Sequence, residues 1–123
     1  MKLSVKSKYG ILGLTEICAE NGGGLSAKSI SQKHNLSEKF LEPALSDLKK
    51  SGLLISKPGK NGGCRAAKKP SDISAFDVID CLEGDYKIAF PDFDESAVKD
   101  FIFENVWKKI NDDIKKQLKL IHF

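Results

Sequence analysis

Cysteine is scarce in this chain and poorly spaced for a structural role. Cys18, Cys64 and Cys81 are 46 and 17 residues apart and form no CxxC pair. An odd, dispersed set excludes a secreted disulfide framework and offers no zinc-finger spacing. Histidine is rarer still. His34 and His122 stand isolated, with no Ser/His/Asp or Cys/His arrangement, which leaves no case for an enzyme. No hydrophobic run approaches the roughly 18 residues of a membrane span. The opening MKLSVKSKYG carries charge but lacks the apolar stretch of a secretion signal. The chain is therefore expected in the cytoplasm, without a membrane partner, a metal or a cofactor. Internal repeats and low-complexity segments are also missing.

What is present suits one small domain of 123 residues with a modest core: 41% hydrophobic and 30% charged residues. The net charge of +3 hides an asymmetry. Residues 1–70 hold 13 Lys and Arg against 5 Asp and Glu, a net of +8. Residues 71–123 hold 7 against 12, a net of −5. A basic half beside an acidic half points to an anionic partner for the first.

Helical spacing of Ile11, Leu14, Ile17 and Cys18 predicts a first helix over about 7–21, ended by Gly22-Gly23-Gly24. Ser26 caps a short second helix, Ala27 to about His34. After a turn at Asn35-Leu36, Ser37 caps a third, and Gly52 stops it. Leu41, Ala44, Leu45 and Leu48 form its apolar stripe, with Phe40 beside it. Pro43 removes one backbone hydrogen bond and should bend the helix.

Next comes strand-like LLISK, then KPGKNGGCRAAKKP, Lys57 to Pro70. This stretch packs three glycines, two prolines, four lysines, Arg65 and Cys64 into a sharp cationic loop. It is not a P-loop, which requires GxxxxGK[ST] leading into a helix. Two short extended runs around PGKNGG read as a β-hairpin. The order helix, helix, turn, helix, hairpin is a winged helix-turn-helix: mainly α with one small hairpin, the wing. Ser74 then caps a helix over Ala75–Glu83. An aromatic loop follows, with Tyr86, Phe90, Pro91 and Phe93 lining a small-molecule pocket, docking a protein or packing against the long helix. A long helix opens at Asp94 or Ser96 and runs to about Leu120. Phe101, Ile102, Val106, Trp107, Ile110, Ile114, Leu118 and Ile121 recur along it at spacings of three and four. Such a stripe suits a second copy of the chain, or a helix folded back on its own domain. The chain divides into a winged helix over 1–83 and a loop with a dimerisation helix over 84–123, in one compact unit.

Three segments in register, MKLSVKSKYG, SEKFLEPALSDLKKSGLL and KPGKNGGCRAAKKPSDISAFDVIDCLEG, resemble the bacterial iron–sulfur-cluster regulator family. These are winged-helix repressors of the IscR, NsrR and CymR types. The likeness covers about residues 1–84 and resumes weakly at NVWKKINDDIKKQL, which is similar to the family's dimerisation helix. It implies a homodimer on a palindromic operator, controlling transcription, as a repressor, in response to a signal. It also implies a cluster held by three cysteines in the loop before the long helix. Here that loop, GDYKIAFPDFDESAVKD, has no cysteine, so no family-type cluster is expected. The signal would then act through a partner protein, a small molecule or a thiol.

Lys39, Glu42, Pro43 and Ser46 are expected on the outward face of the third helix, with Ser37 and Glu38 at the same end. Lys39 can donate to guanine and Glu42 can accept from cytosine. Lys60, Asn61, Gly62, Gly63 and Arg65 form the wing tip, for phosphate or minor groove. The resemblance places Lys2, Lys6, Lys8 and Tyr9 on the DNA backbone, with Ser26 and Lys28 near phosphate. Cys18 and Cys81 are expected in the core. Cys64, in a lysine-rich exposed wing, is the candidate redox thiol. Two rival readings stay open: a metal or redox protein using the dispersed cysteines, and a winged helix that binds protein instead of DNA.

Overall fold

The computed structural model describes residues 3–20, 24–59, 62–84, 106 and 108–123. Lys2, Lys60, Asn61, Phe101, Ile102, Trp107 and the aromatic loop lie outside the described residues.

Helix α1 spans Val5–Ala19, two residues earlier at its start than the apolar spacing predicts. Ser4 explains the difference: its hydroxyl accepts from the Ser7 N–H at 3.1 Å and caps the helix there. The buried face of α1 is Ser7, Gly10, Gly13, Leu14 and Ile17. A Cβ on Gly10 would lie 2.5 Å from Leu82 Cδ1, and one on Gly13 would lie 2.9 Å from Leu45 Cδ2. The small residues let α1 approach its neighbours at backbone distance.

Helix α2, Ala27–His34, is capped by Ser26, which accepts from the Ser29 N–H at 3.0 Å. It ends at Asn35 in the left-handed region, φ 52°, a conformation asparagine tolerates. Helix α3, Glu38–Lys50, buries Leu41, Ala44, Leu45 and Leu48 and runs unbroken through the exposed Pro43. Ser37 precedes it but makes no side-chain capping bond, so its predicted position holds and its predicted bond does not. The C-terminus closes as a Schellman motif. Gly52 takes φ 83° and donates to the Lys49 carbonyl, while Leu53 donates to that of Leu48, both at 3.0 Å.

Strands β1, Leu54–Lys57, and β2, Gly63–Ala66, pair antiparallel, with Ile55 opposite Arg65 and Ser56 opposite Cys64. Leu25 adds a one-residue third strand. Its N–H donates to the Cys64 carbonyl at 2.9 Å, and the Cys64 N–H donates to the Leu25 carbonyl at 2.7 Å. The wing is thus tied to the segment that opens α2. A Cβ on Gly63 would fall on the Leu25 carbonyl.

A 3-10 turn at Pro70–Asp72 leads to α4, Ala75–Glu83, whose first turn is closed by a capping box between Ser74 and Asp77. Helix α5 is described over Lys108–Leu120 and buries none of its residues. The chain beyond it returns to the start of α4. Ala75 donates to the Ile121 carbonyl at 2.7 Å, and Phe123 donates to that of Ile73 at 3.0 Å. One core unites these elements through Leu14, Ile30, Leu41, Leu48, Leu54 and Ile73, each at most 1% exposed. The mainly helical fold with a two-stranded hairpin is the winged helix the sequence implies.

Gly63→Ala should detach β2 from Leu25, because the obstacle is backbone rather than a movable side chain. The expected loss is about 1–3 kcal/mol, read as a lower thermal midpoint. Lys50→Ala, exposed at the end of α3, should stay within about 0.5 kcal/mol of the parent.

Candidate nucleic-acid interface

With Leu41, Ala44, Leu45 and Leu48 turned into the core, α3 must present Lys39, Glu42, Pro43 and Ser46 outward, and all four are exposed. Glu38 and Ser37 are exposed at its N-terminal end. A groove of about 310 Å³ lies between α3, the start of α2 and β2. Ser26, Glu42, Ser46 and Gly63 line it together, so four expected contact residues from three elements share one concave surface. Lys49 and Ala27 line it too. Lys49 is not among the contact residues expected from the sequence, where it reads as part of a solvated charged face, although it follows Ser46 by three residues and Glu42 by seven.

On the wing, Arg65 is exposed opposite Ile55, and Gly62 and Gly63 are half-buried. Lys28 is exposed in the first turn of α2. On α1, Lys8 is exposed and Tyr9 is half-buried, its ring 6.0 Å from that of Phe40. Lys6, also exposed, has a partner within the protein. Its Nζ lies 2.8 Å from Asp47 Oδ2, and this hydrogen bond raises the Lys6 pKa. Its charge is paired at the protein surface, whereas that of Lys8 is not part of any ion pair among the described residues.

Cys64 requires a correction. The thiol is 4% exposed and belongs to the core. Alternation along β2 turns Cys64 to the same side as Leu54 and leaves Arg65 outward, so a lysine-rich loop does not make this cysteine accessible. Cys18 and Cys81 pack half-buried at the edge of the core. Burial pushes the Cys18 thiol up, and the Cys81 thiol lies 3.4 Å from the Asp47 carbonyl it donates to. His34 is not isolated either. Its Nε2 lies 2.9 Å from Glu16 Oε1, while Lys33 Nζ lies 2.6 Å from Glu16 Oε2. The hydrogen bond from Lys33, followed by that from His34, lowers the Glu16 pKa. This cluster joins α1 to α2.

The family profile described as "Rrf2: Iron-dependent Transcriptional regulator" matches residues 3–123. The chain belongs to the Rrf2 family. It is 37% identical over 119 residues to the HTH-type transcriptional regulator CymR of Bacillus subtilis, covering 96% of this chain and 83% of that protein. To the regulator IscR of Aliivibrio salmonicida it is 31% identical over 84 residues, 68% of this chain and 50% of that one. The solved structure of CymR (YrzC), described as the global cysteine regulator of B. subtilis, superposes with a TM-score of 0.82 at 35% identity. The match covers 99% of this chain and 92% of that one. IscR of T. potens superposes at 0.77 with 32% identity, over 99% and 82%. This Rrf2 member is thus a helix-turn-helix, DNA-binding transcription regulator.

The family description names iron, and the residues here do not fit a thiolate-held cluster. Segment 84–100 has no cysteine. The three thiols sit on α1, β2 and α4, and Cys64 is closed into the core. Among the described residues no group of three or more His, Cys, Asp or Glu could hold a metal ion. Nor, among them, is any helix long and apolar enough to cross a membrane.

One positioning residue had no local signal in the sequence. Glu83, at the end of α4, accepts from the Ser4 N–H at 2.7 Å and from the Ser7 hydroxyl at 2.5 Å, both through Oε1. The Ser7 bond, then the Ser4 N–H, holds its carboxyl below the usual carboxylate range. It fixes the start of α1, and with it Lys8 and Tyr9. A depressed carboxylate stabilises the fold above its unfolded value, near ~4.3, and that contribution is lost as pH falls through the folded value. Glu83→Gln should therefore lower the thermal midpoint at about pH 7, and the gap should narrow progressively as the solution is acidified below the unfolded value. Parallel melts of the two proteins across pH check this. A gap that survives acidification would show that the charge of Glu83 is not what matters.

Proposed function

We propose that this Rrf2 protein is a homodimeric repressor in the cytoplasm that reads a palindromic operator with α3 and straddles the flanking backbone with the wing and the start of α1. The shared groove of Ser26, Glu42, Ser46 and Gly63, beside the exposed Lys39 and Pro43, carries the reading. In it Lys39 and Glu42 select base pairs, donating to guanine and accepting from the cytosine amino group. Lys8, Lys28 and Arg65 neutralise phosphate, as Lys2 and Lys60 would from their places in the sequence. The bound signal changes operator occupancy through a partner protein, a small molecule or a thiol. The burial of Cys64 makes it a poor choice of thiol.

Purified protein incubated with sheared DNA from its own source should retain fragments sharing a palindrome, with half-sites about one helical turn apart. Genes beside those fragments then point to the signal. Cysteine genes are the first to inspect, given how the Bacillus relative is described. On the recovered site, Lys8→Ala should weaken binding evenly across sequences and reduce the salt slope by about 1. Glu42→Ala should relax preference at one base pair per half-site by about 1–3 kcal/mol. Random retention would overturn the operator reading.

The dimer part of the proposal is supported by α5. Ile110, Ile114 and Leu118 follow at intervals of four residues, none is buried, and Val106 and Ile121 are exposed at 45% and 56%. Ile114→Glu should convert the protein to a monomer in sedimentation. Loss of bivalency should cut operator affinity by about 100-fold or more, while the winged helix keeps its fold by circular dichroism.

A further inference from the structure

Phe40 is 52% exposed on the first turn of α3. Phenylalanine buries a large apolar area when it can, and here the core is complete without it. The ring is not randomly placed. Tyr9 of α1 stands behind it, ring centroids 6.0 Å apart and planes tilted by 47°. Pro43, also exposed, follows three residues later on the same helix face. Phe40 and Pro43 thus make an apolar strip along the flank of a helix whose other outward residues are all polar or charged, Lys39, Glu42 and Ser46 among them. It lies at the end of α3 that reaches base edges.

The major groove has one apolar feature, the C5-methyl of thymine, and phenylalanine is among the side chains that contact it. Phosphate and sugar offer an aromatic ring no comparable gain. We propose that Phe40, braced by Tyr9, is a specificity-determining residue that packs on the C5-methyl of one thymine in each half-site. This rests on the operator reading above. It adds a choice of thymine that the polar residues of α3 do not supply, since Lys39 and Glu42 address guanine and cytosine.

The probe is the shortest duplex recovered by the genomic-fragment selection. It is synthesised with thymine throughout and, in a series, with deoxyuridine at each thymine in turn, which removes only the methyl group. Retention of the thymine duplex over a shuffled duplex of equal length tests operator reading alone. On the wild-type protein, uracil at one position per half-site should weaken binding about 3- to 5-fold, the scale of one buried methyl. Phe40→Ala should bind the thymine duplex more weakly and be indifferent to uracil at that position. Phe40→Leu should restore most of the discrimination. If the wild type is indifferent to uracil at every position while still preferring its duplex, the inference about Phe40 fails and operator reading stands. Methyl sensitivity that survives Phe40→Ala also overturns it. No preference for the recovered duplex overturns both. If Phe40→Ala does not fold, indifference of the wild type to uracil still overturns the inference, and Phe40→Leu still tests the assignment by altered sensitivity at that one position.

Discussion

The closeness of α1 to its neighbours is the constraint on which the interface depends. A methyl group on Gly10 or Gly13 would press into Leu82 or Leu45. With hydrogen there instead, α1 lies against both α3 and α4 and becomes the helix on which the other two are registered. Leu45 and Leu41 reach Gly13 from the buried side of α3, which fixes the rotation of α3 about its axis. That rotation decides which residues face outward. Glu83 completes the arrangement from α4 by holding the Ser4 and Ser7 end of α1 in place. The surface that carries Lys8, Tyr9 and Phe40 is therefore set by contacts that themselves touch nothing outside the protein.

The wing is held by a different device. β2 lies between β1 and Leu25, so the hairpin cannot swing freely about its tip. The Leu25 bond places Gly63 against the start of α2, and absence of a side chain there is a packing requirement. Cys64 then has to point inward. The same alternation that hides the thiol exposes Arg65. Burial of the cysteine and display of the arginine are two consequences of one strand register.

Much of this was legible in the sequence, because the deciding signals are local. Ser26 and Ser74 cap their helices, Asn35 and Gly52 end theirs, and the Leu41–Leu48 stripe has helical period. These yielded the helix-turn-helix, the wing and the outward face of α3. The remainder depends on residues distant in sequence. Glu83 meets Ser4 across 79 positions, with no spacing rule to suggest it. Glycine is a weak helix former, and only Leu82 and Leu45 packed against α1 account for Gly10 and Gly13 within it. A cationic loop suggested an exposed Cys64, but exposure in a strand is decided residue by residue, and charge of the neighbours does not report it. Glu16 joining Lys33 and His34 is likewise a meeting of two helices, invisible within either.

The acidic residues of the basic half show what kind of surface results. Of its five carboxylates, Glu16 is engaged by Lys33 and His34, Asp47 by Lys6, and Glu20 sits at the C-cap of α1. Glu38 lies in the first turn of α3, where the helix dipole favours a negative charge. Glu42 has neither reason. It forms no ion pair among the described residues and sits one turn further on, in the groove beside Ser46 and Lys49. Facing a phosphate backbone, such a carboxylate weakens binding to every sequence alike. Only a base pair that offers a donor to it, the cytosine amino group, returns what the repulsion removes. Under the proposed reading Glu42 therefore lowers affinity in general and raises the contrast between sites. Under that reading, selection against wrong DNA is the physical reason for an unpaired negative charge within the basic half of the chain.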